Sequence, residues 1–259
     1  MPWNGNGKEN MPQAVILAAG QGTRLAPLTD KLPKPLLKVG GKPIIDYILD
    51  RVREVGITDV VIVVGHYGDK LIEHVDGKYQ DLSVRYVSNP IYAATNSTYS
   101  LWLTREIVGD DFVVINADTL FSTNILRFLV DAEHDIALSI DDTMVGELPA
   151  DNMKVTIVDG LLRDASKLIP PERTHGDAIG IYRFRNRGKE HLFAKLKQLV
   201  DENVLDQLFT FAVRSIMQET EVYPVGTGGL SWVEVDDHAD LAMAERIVEE
   251  ILQEEGAGV

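Results

Sequence analysis

Cysteine is absent from this 259-residue chain, so disulfides, zinc–thiolate centres and cysteine nucleophiles are all excluded. A chain without thiols suits a reducing cytoplasm, and a cytoplasmic protein is the expectation. Basic residues are in deficit: 25 Lys and Arg stand against 40 Asp and Glu, a formal net charge of -15. With no Lys/Arg-rich block to offset that field, nucleic acid and anionic membrane surfaces are not expected as partners. Residues 1–12 are polar and lack an apolar core, so they read as a mobile tail rather than a signal peptide or membrane span. Internal repeats and low-complexity linkers are missing too, which leaves one large α/β domain over residues 13–259. His66, His74, His134, His175 and His238 are scattered, with no two at metal-ligand spacing beside an acid motif, and no Ser/His/Asp arrangement is visible.

What is present is concentrated in residues 14–36, AVILAAGQGTRLAPLTDKLPKPL. The apolar run 14–19 reads as a strand buried on both faces. The small residues Ala18, Ala19, Gly20 and Gly22 then let the backbone close on a ligand. A nucleotide is expected at that strand's end. Two commoner phosphate loops are excluded by spacing. A P-loop needs its lysine directly after the second glycine and followed by Ser or Thr, whereas Gly22 precedes Thr23 and Arg24, and Lys34 lies further on between prolines. A dinucleotide fingerprint needs a third glycine at Rossmann spacing, and only Gly20 and Gly22 are here.

The remaining pattern alternates. Helices are expected over 43–56, 69–75, 98–107 and 123–133, and strands over 60–64, 83–87, 112–115 and 135–140, which gives a parallel sheet with helices on both faces. The second half changes character. Runs 153–158 and 161–165 flank Asp159-Gly160, a strong hairpin signal, and a strand is expected over 178–184. Helices over 188–200 and 206–218, strands near 221–225 and 231–235, and an amphipathic helix over 237–252 complete the reading. Two acids fall directly after buried strands: Asp118 and Asp236, at the carboxyl edge where open α/β sheets bind ligands.

Residues 20–36 resemble the signature of the nucleoside-diphosphate-sugar pyrophosphorylase superfamily, G-x-G-T/S-R-L-x-P-L-T followed by P-K-P. The resemblance implies the nucleotide-diphospho-sugar transferase fold: a Rossmann-like, mostly parallel sheet with flanking helices and a small β-hairpin region for the acceptor. It implies a nucleotide wrapped by Leu17, Ala18, Ala19, Gly20, Gln21, Gly22, Thr23 and Arg24. Arg24 would hold the leaving pyrophosphate and Lys34 would stabilise charge at the α-phosphate. The family's D-x-D motif has Asn116 at its first position here, so only Asp118 carries over as a metal ligand. Residues 231–238 are similar to the family's W/Y-x-E-I/V-D-x-x-x-D-L segment, which makes Asp236 the second ligand. Two carboxylates suit Mg²⁺, a hard ion completed by substrate phosphates and water. Glu234 reads either as a neighbour of the metal or as an exposed strand residue. Asp237 and Asp240 read as helix N-terminal residues stabilised by the helix dipole.

Residues 89–102 resemble N-x-x-Y-x-x-x-N-N-x-x-S-L of phosphocholine cytidylyltransferases and their relatives, with Ser97 at the second asparagine. The resemblance assigns Tyr92, Thr95, Asn96 and Ser100 to the pyrimidine and acceptor; the alternative is that Asn96 and Ser97 cap a helix while Tyr99 and Trp102 fill the core. Lys154, and more weakly Lys167, are candidate clamps for the acceptor's phosphate, with an exposed hairpin lysine as the alternative. Tyr182 and Trp232, with Tyr92, are candidates to hold a cationic head group through cation–π attraction. The implied activity is Mg²⁺-dependent transfer of CMP from CTP to a small phosphomonoester or phosphonate. A sugar-1-phosphate nucleotidylyltransferase using UTP, dTTP or GTP and a non-catalytic nucleotide-binding subunit are the rivals, and homo-oligomerisation is left open.

Overall fold

The computed structural model describes residues 11–256 except Met144 and Glu147. The expectation of a mobile tail therefore lies, for residues 1–10, outside the described residues; Met11 packs against the core.

In chain order the elements are β1 (Gln13–Ala18), β2 (Lys38–Val39), β3 (Lys42–Pro43), α1 (Ile44–Val55), β4 (Asp59–Val64), α2 (Gly68–Lys78) and β5 (Ser83–Ser88). Next come α3 (Ser97–Trp102), β6 (Asp111–Asn116), β7 (Thr119–Phe121), α4 (Thr123–Asp131) and β8 (Ile136–Asp141). The second half contains β9 (Val155–Val158), β10 (Leu161–Ala165), β11 (Asp177–Arg185), α5 (Arg187–Asp201) and α6 (Thr210–Ile216). The chain continues through β12 (Tyr223–Gly226), β13 (Trp232–Glu234) and α7 (His238–Gly256).

Seven strands form one sheet in the order β12-β8-β11-β6-β1-β4-β5. All pairings are parallel except those of β11, which runs antiparallel to both β6 and β8. The alternation along β1 explains the layers. Ala14, Ile16 and Ala18 face one core with α1, α2, α4 and α7, while Val15 and Ala19 face another with α3, α5 and α6. Both faces of the central strands are thus buried, which is why their sequences read as unbroken apolar runs. Helix α1 shows how one covering element is fixed. Ile44, Ile45, Ile48, Leu49, Val52 and Val55 are buried, each worth about 1.5–3 kcal/mol when removed from water. Gly56 ends it in the left-handed region at φ 97°, donating its N–H to the Arg53 carbonyl.

The hairpin β9–β10 forms around Asp159 and Gly160, both at positive φ as the sequence signal requires. Two expected helices are shorter than their periodicity. After α3 the Thr104 hydroxyl donates to the Leu101 carbonyl, and the chain tightens into turns. Ahead of α6, residues 205–209 bond to the start of α3 instead of coiling: Asn96 N–H donates to Leu205 O, and Phe209 N–H to Ser97 Oγ.

Candidate active site

The carboxyl ends of β1, β4 and β6 lie side by side, since Leu17 is the register partner of both Val63 and Asn116. The segment after β1 folds over that edge as a glycine turn. Gly22 has φ 63°, and a Cβ there would lie 3.1 Å from both Lys34 Cβ and Thr29 Cγ2. Glycine is therefore required for the loop to close on the lysine segment. The Thr29 hydroxyl donates to Gly22 O at 2.9 Å, and Pro33 and Pro35 flank Lys34, the first residue of a short 3₁₀ turn. A Cβ on Gly65 would lie 2.5 Å from Ala19 O, so the segment after β4 also clasps the glycine turn.

The strand pair β7–β13 brings the two acids together. Thr119 pairs with Glu234, and Val235 N–H donates to Asp118 O at 2.9 Å. Lys34 Nζ then lies 2.6 Å from Asp118 Oδ2 and 2.9 Å from Asp236 Oδ1. Arg24 Nη2 lies 2.7 Å from Asp236 Oδ2 and reaches toward Asp151. Burial opposes the charge on Lys34, but Asp118 and Asp236 outweigh it and raise its pKa. Burial likewise opposes ionisation of Asp236, and Lys34 with Arg24 overcomes it, so that carboxyl is held below its ordinary value. Glu234 opens onto the cleft with its carboxyl set against Asp118 and Asp236; burial first, then those two charges, push its pKa up to about 8. Asp237 caps α7, accepting from Ala239 and Asp240 N–H, while Asp240 accepts from Asp236 and Asp237 N–H.

The cleft over this edge has two adjoining lobes. The smaller is lined by Ala18, Gly22, Thr23, Lys34 and Pro35, and shares Leu17, Gly20, Arg24, Asp118 and Asp236 with the larger. Ala19, Tyr92, Thr95, Asn96, Ser100 and Tyr182 line the larger lobe. Asn96 also stands at the start of α3, its side chain accepting from Ser97 N–H. Gln21 flanks the turn without lining either lobe.

Two expected acceptor residues are placed elsewhere. Lys154 is buried, and its ammonium donates to the carbonyls of Ala150 and Lys167, so it is neither exposed nor in the cleft. Trp232 donates from Nε1 to Asp141 Oδ2 at 2.9 Å and lines neither lobe. The hairpin itself packs on α6; the residues flanking it, Met153 and Lys167, reach the cleft. Residues that the sequence reading passed over also line it: Asn89, Asn116, Asp151, Gly180, Leu208 and Thr210. Asn116 carried a usable signal, a polar residue two before the strand-end acid.

One oxygen from each of Asp118, Glu234 and Asp236 lies within 4.8 Å of the others. Asp118 Oδ1 is buried and without a hydrogen-bond partner. An all-oxygen set with an orphaned carboxylate atom fits a hard divalent cation. Among the described residues no helix is long and apolar enough to cross a membrane.

A glycine turn, a buried lysine and converging carboxylates at the carboxyl edge of this sheet are the features of nucleotidyl transfer, and the chain belongs to the nucleotidyl transferase family, whose model matches residues 13–149. It is 30% identical over 253 residues to CMP-5'-(3-aminopropyl)phosphonate synthase of Streptomyces rubellomurinus, covering 90% of this chain and 38% of that protein. It is 42% identical over 115 residues to choline-phosphate cytidylyltransferase of Streptococcus pneumoniae, covering 44% of this chain and 48% of that one. The chain thus spans less than half the length of these two curated relatives. The solved structure of CTP:phosphocholine cytidylyltransferase from Streptococcus pneumoniae superposes with a TM-score of 0.74 at 27% identity, covering 92% of this chain and 100% of that one. The α/β fold expected from the sequence is shared with these nucleotidyltransferases, with β11 as the antiparallel member of the sheet.

Proposed function

We propose that this chain is a Mg²⁺-dependent cytidylyltransferase, which transfers CMP from CTP to a small phosphomonoester or phosphonate and releases pyrophosphate. The observation that carries the reading is Lys34, whose ammonium bridges Asp118 and Asp236 at the strand edge with Arg24 on the outer side. The reactions named for the aminopropylphosphonate and choline-phosphate relatives support CTP and this acceptor class.

In the reaction, an ionised oxygen of the acceptor's phosphate or phosphonate attacks the α-phosphorus of CTP. The bond from that phosphorus to the bridging oxygen of the β-phosphate breaks, and its electron pair leaves with pyrophosphate. The nucleophile is already ionised, so no general base is required, in keeping with the absence of a histidine dyad. Catalysis is alignment plus charge neutralisation. The glycine turn closes on the nucleotide, Lys34 supplies a cation that its carboxylate neighbours keep protonated, and Arg24 offers a guanidinium to the leaving phosphates. Asp118 and Asp236, with Glu234 beside them, would hold Mg²⁺, which when bound neutralises phosphate charge.

A matrix of CTP, UTP, dTTP, ATP and GTP against phosphocholine, 2-aminoethylphosphonate, inositol-1-phosphate and glucose-1-phosphate tests the reading, with pyrophosphate and product mass followed together. CTP should exceed each other nucleotide at least tenfold in kcat/KM, or about 1.4 kcal/mol. A preference for UTP or dTTP with glucose-1-phosphate would move the chain to the sugar-nucleotide class.

A further inference from the structure

Three of the four carboxylate oxygens on Asp118 and Asp236 already face a cation supplied by the chain itself. The Lys34 ammonium lies 2.6 Å from Asp118 Oδ2 and 2.9 Å from Asp236 Oδ1, and Arg24 Nη2 lies 2.7 Å from Asp236 Oδ2. The fourth oxygen, Asp118 Oδ1, is buried and accepts no hydrogen bond. A divalent ion drawn to these carboxylates would compete with the ammonium for the same atoms, because lysine presents a compact point charge to them as a metal does. The charges also cancel. Lys34 and Arg24 match the two acids, so little net attraction is left for a doubly charged ion.

Lys34 is better placed for this role than Arg24. Its side chain is 11% exposed, against 53% for Arg24. Its stem is packed under the glycine turn, where a Cβ on Gly22 would lie 3.1 Å from Lys34 Cβ and 3.4 Å from Cδ. Lys34, Asp118 and Asp236 all line the smaller lobe, together with Gly22 and Thr23. With the stem anchored there, rotation about its terminal bonds carries the ammonium from the acids to a phosphate in that lobe.

We propose that Lys34 is an internal counter-ion that occupies the cation site of the nucleotide-free protein and leaves it for the phosphates when a nucleotide enters, so that metal and nucleotide bind with positive coupling; this rests on the metal-assisted transfer argued above. A triphosphate takes over the ammonium and frees the carboxylate oxygens. By linkage, a bound metal frees the ammonium for the triphosphate to the same extent. If the ammonium holds the acids about nine-tenths of the time, the apparent metal affinity of the free protein is lowered about tenfold.

Mn²⁺, whose free ion is read by electron paramagnetic resonance, is titrated onto the full chain with no nucleotide or acceptor present. Lys34→Met should bind it about tenfold tighter than wild type or better, and Lys34→Gln should follow, with thermal unfolding establishing that each is folded. Adding Asp118→Asn to Lys34→Met should abolish the gain. Lys167→Met, which removes a charge lining the larger lobe that bonds none of these acids, should stay within about threefold of wild type. The wild type gives a readout that needs no variant: acetylation of Lys34, followed by mass spectrometry, should rise as Mn²⁺ binds, because the displaced amine is no longer held between two carboxylates. No tightening in the folded Lys34 variants, a gain that survives Asp118→Asn, an equal gain in Lys167→Met, or Lys34 acetylation unchanged while Mn²⁺ fills the Asp118-dependent site overturns the proposal. Nucleotide and acceptor preferences do not enter these titrations, so failure here is told apart from failure of the transfer reading, which pyrophosphate release records.

Discussion

Replacing Asp177 with asparagine should stabilise the protein at neutral pH. Asp177 is buried at the start of β11, accepting a hydrogen bond from the Asn152 amide and lying opposite Asp141 in the β8–β11 pairing. Burial, reinforced by Asp141 and only partly offset by Asn152, pushes its pKa up to about 6 from 3.8. A carboxyl whose folded pKa is raised favours the native state while protonated, and that contribution is lost as pH climbs from its unfolded pKa through its folded one. A shift of about two units corresponds to roughly 3 kcal/mol at pH 7.5, shrinking to about 0.5 kcal/mol near pH 4. Asparagine keeps the shape without the charge. Urea unfolding of wild type and Asp177→Asn at pH 7.5, 5 and 4 should therefore show the variant more stable by up to ~3 kcal/mol at pH 7.5, with the gap closing as pH falls. A variant less stable than wild type at pH 7.5, or a gap independent of pH, would refute the reasoning.

Asp46 should behave in the opposite sense. It is buried and binds His74 and Lys78, contacts that overcome its burial and lower its pKa, so Asp46→Asn should lose about 1–3 kcal/mol at pH 7 in the same urea assay. That deficit should shrink as pH falls through the depressed carboxyl pKa. Gly22→Ala, forced into the left-handed region against Lys34 and Thr29, should lose about 1–2 kcal/mol in thermal unfolding and lower kcat as well. Trp232→Ala should leave the acceptor KM within about threefold, since the indole lines neither lobe; a tenfold rise would restore the aromatic pocket.

The glycine turn, Arg24, Lys34 and both strand-end acids were legible because each lies in a short contiguous motif whose spacing carries its geometry. The direction of β11 was not. A strand buried on both faces has the same apolar run whether its neighbours run parallel or antiparallel, and only the pairing with β6 and β8 decides. Residues 206–209 look helical by periodicity but bond instead to the start of α3, Thr98 N–H donating to Gln207 O and Phe209 N–H to Ser97 Oγ, a contact across more than a hundred residues that local pattern does not encode. Leu208 in that segment and Thr210 at the start of α6 line the cleft. Lys154 was misplaced for a related reason: a lysine in a hairpin region is ordinarily exposed, and only the carbonyls of Ala150 and Lys167 make its burial tolerable. Glu234 could be read either way because alternation along β13 does not reveal that Thr119 lies opposite it.

The central claim, that Lys34 held between Asp118 and Asp236 is the reaction centre, is tested most directly by the kcat of pyrophosphate release from CTP. The account predicts that Lys34→Ala, Asp118→Asn and Asp236→Asn each fall about a hundredfold or more, with unfolding curves establishing that the variants remain folded. Asp237→Asn, which alters only the cap of α7, should keep kcat within about threefold of wild type. Near-full turnover by folded Lys34→Ala would contradict the account.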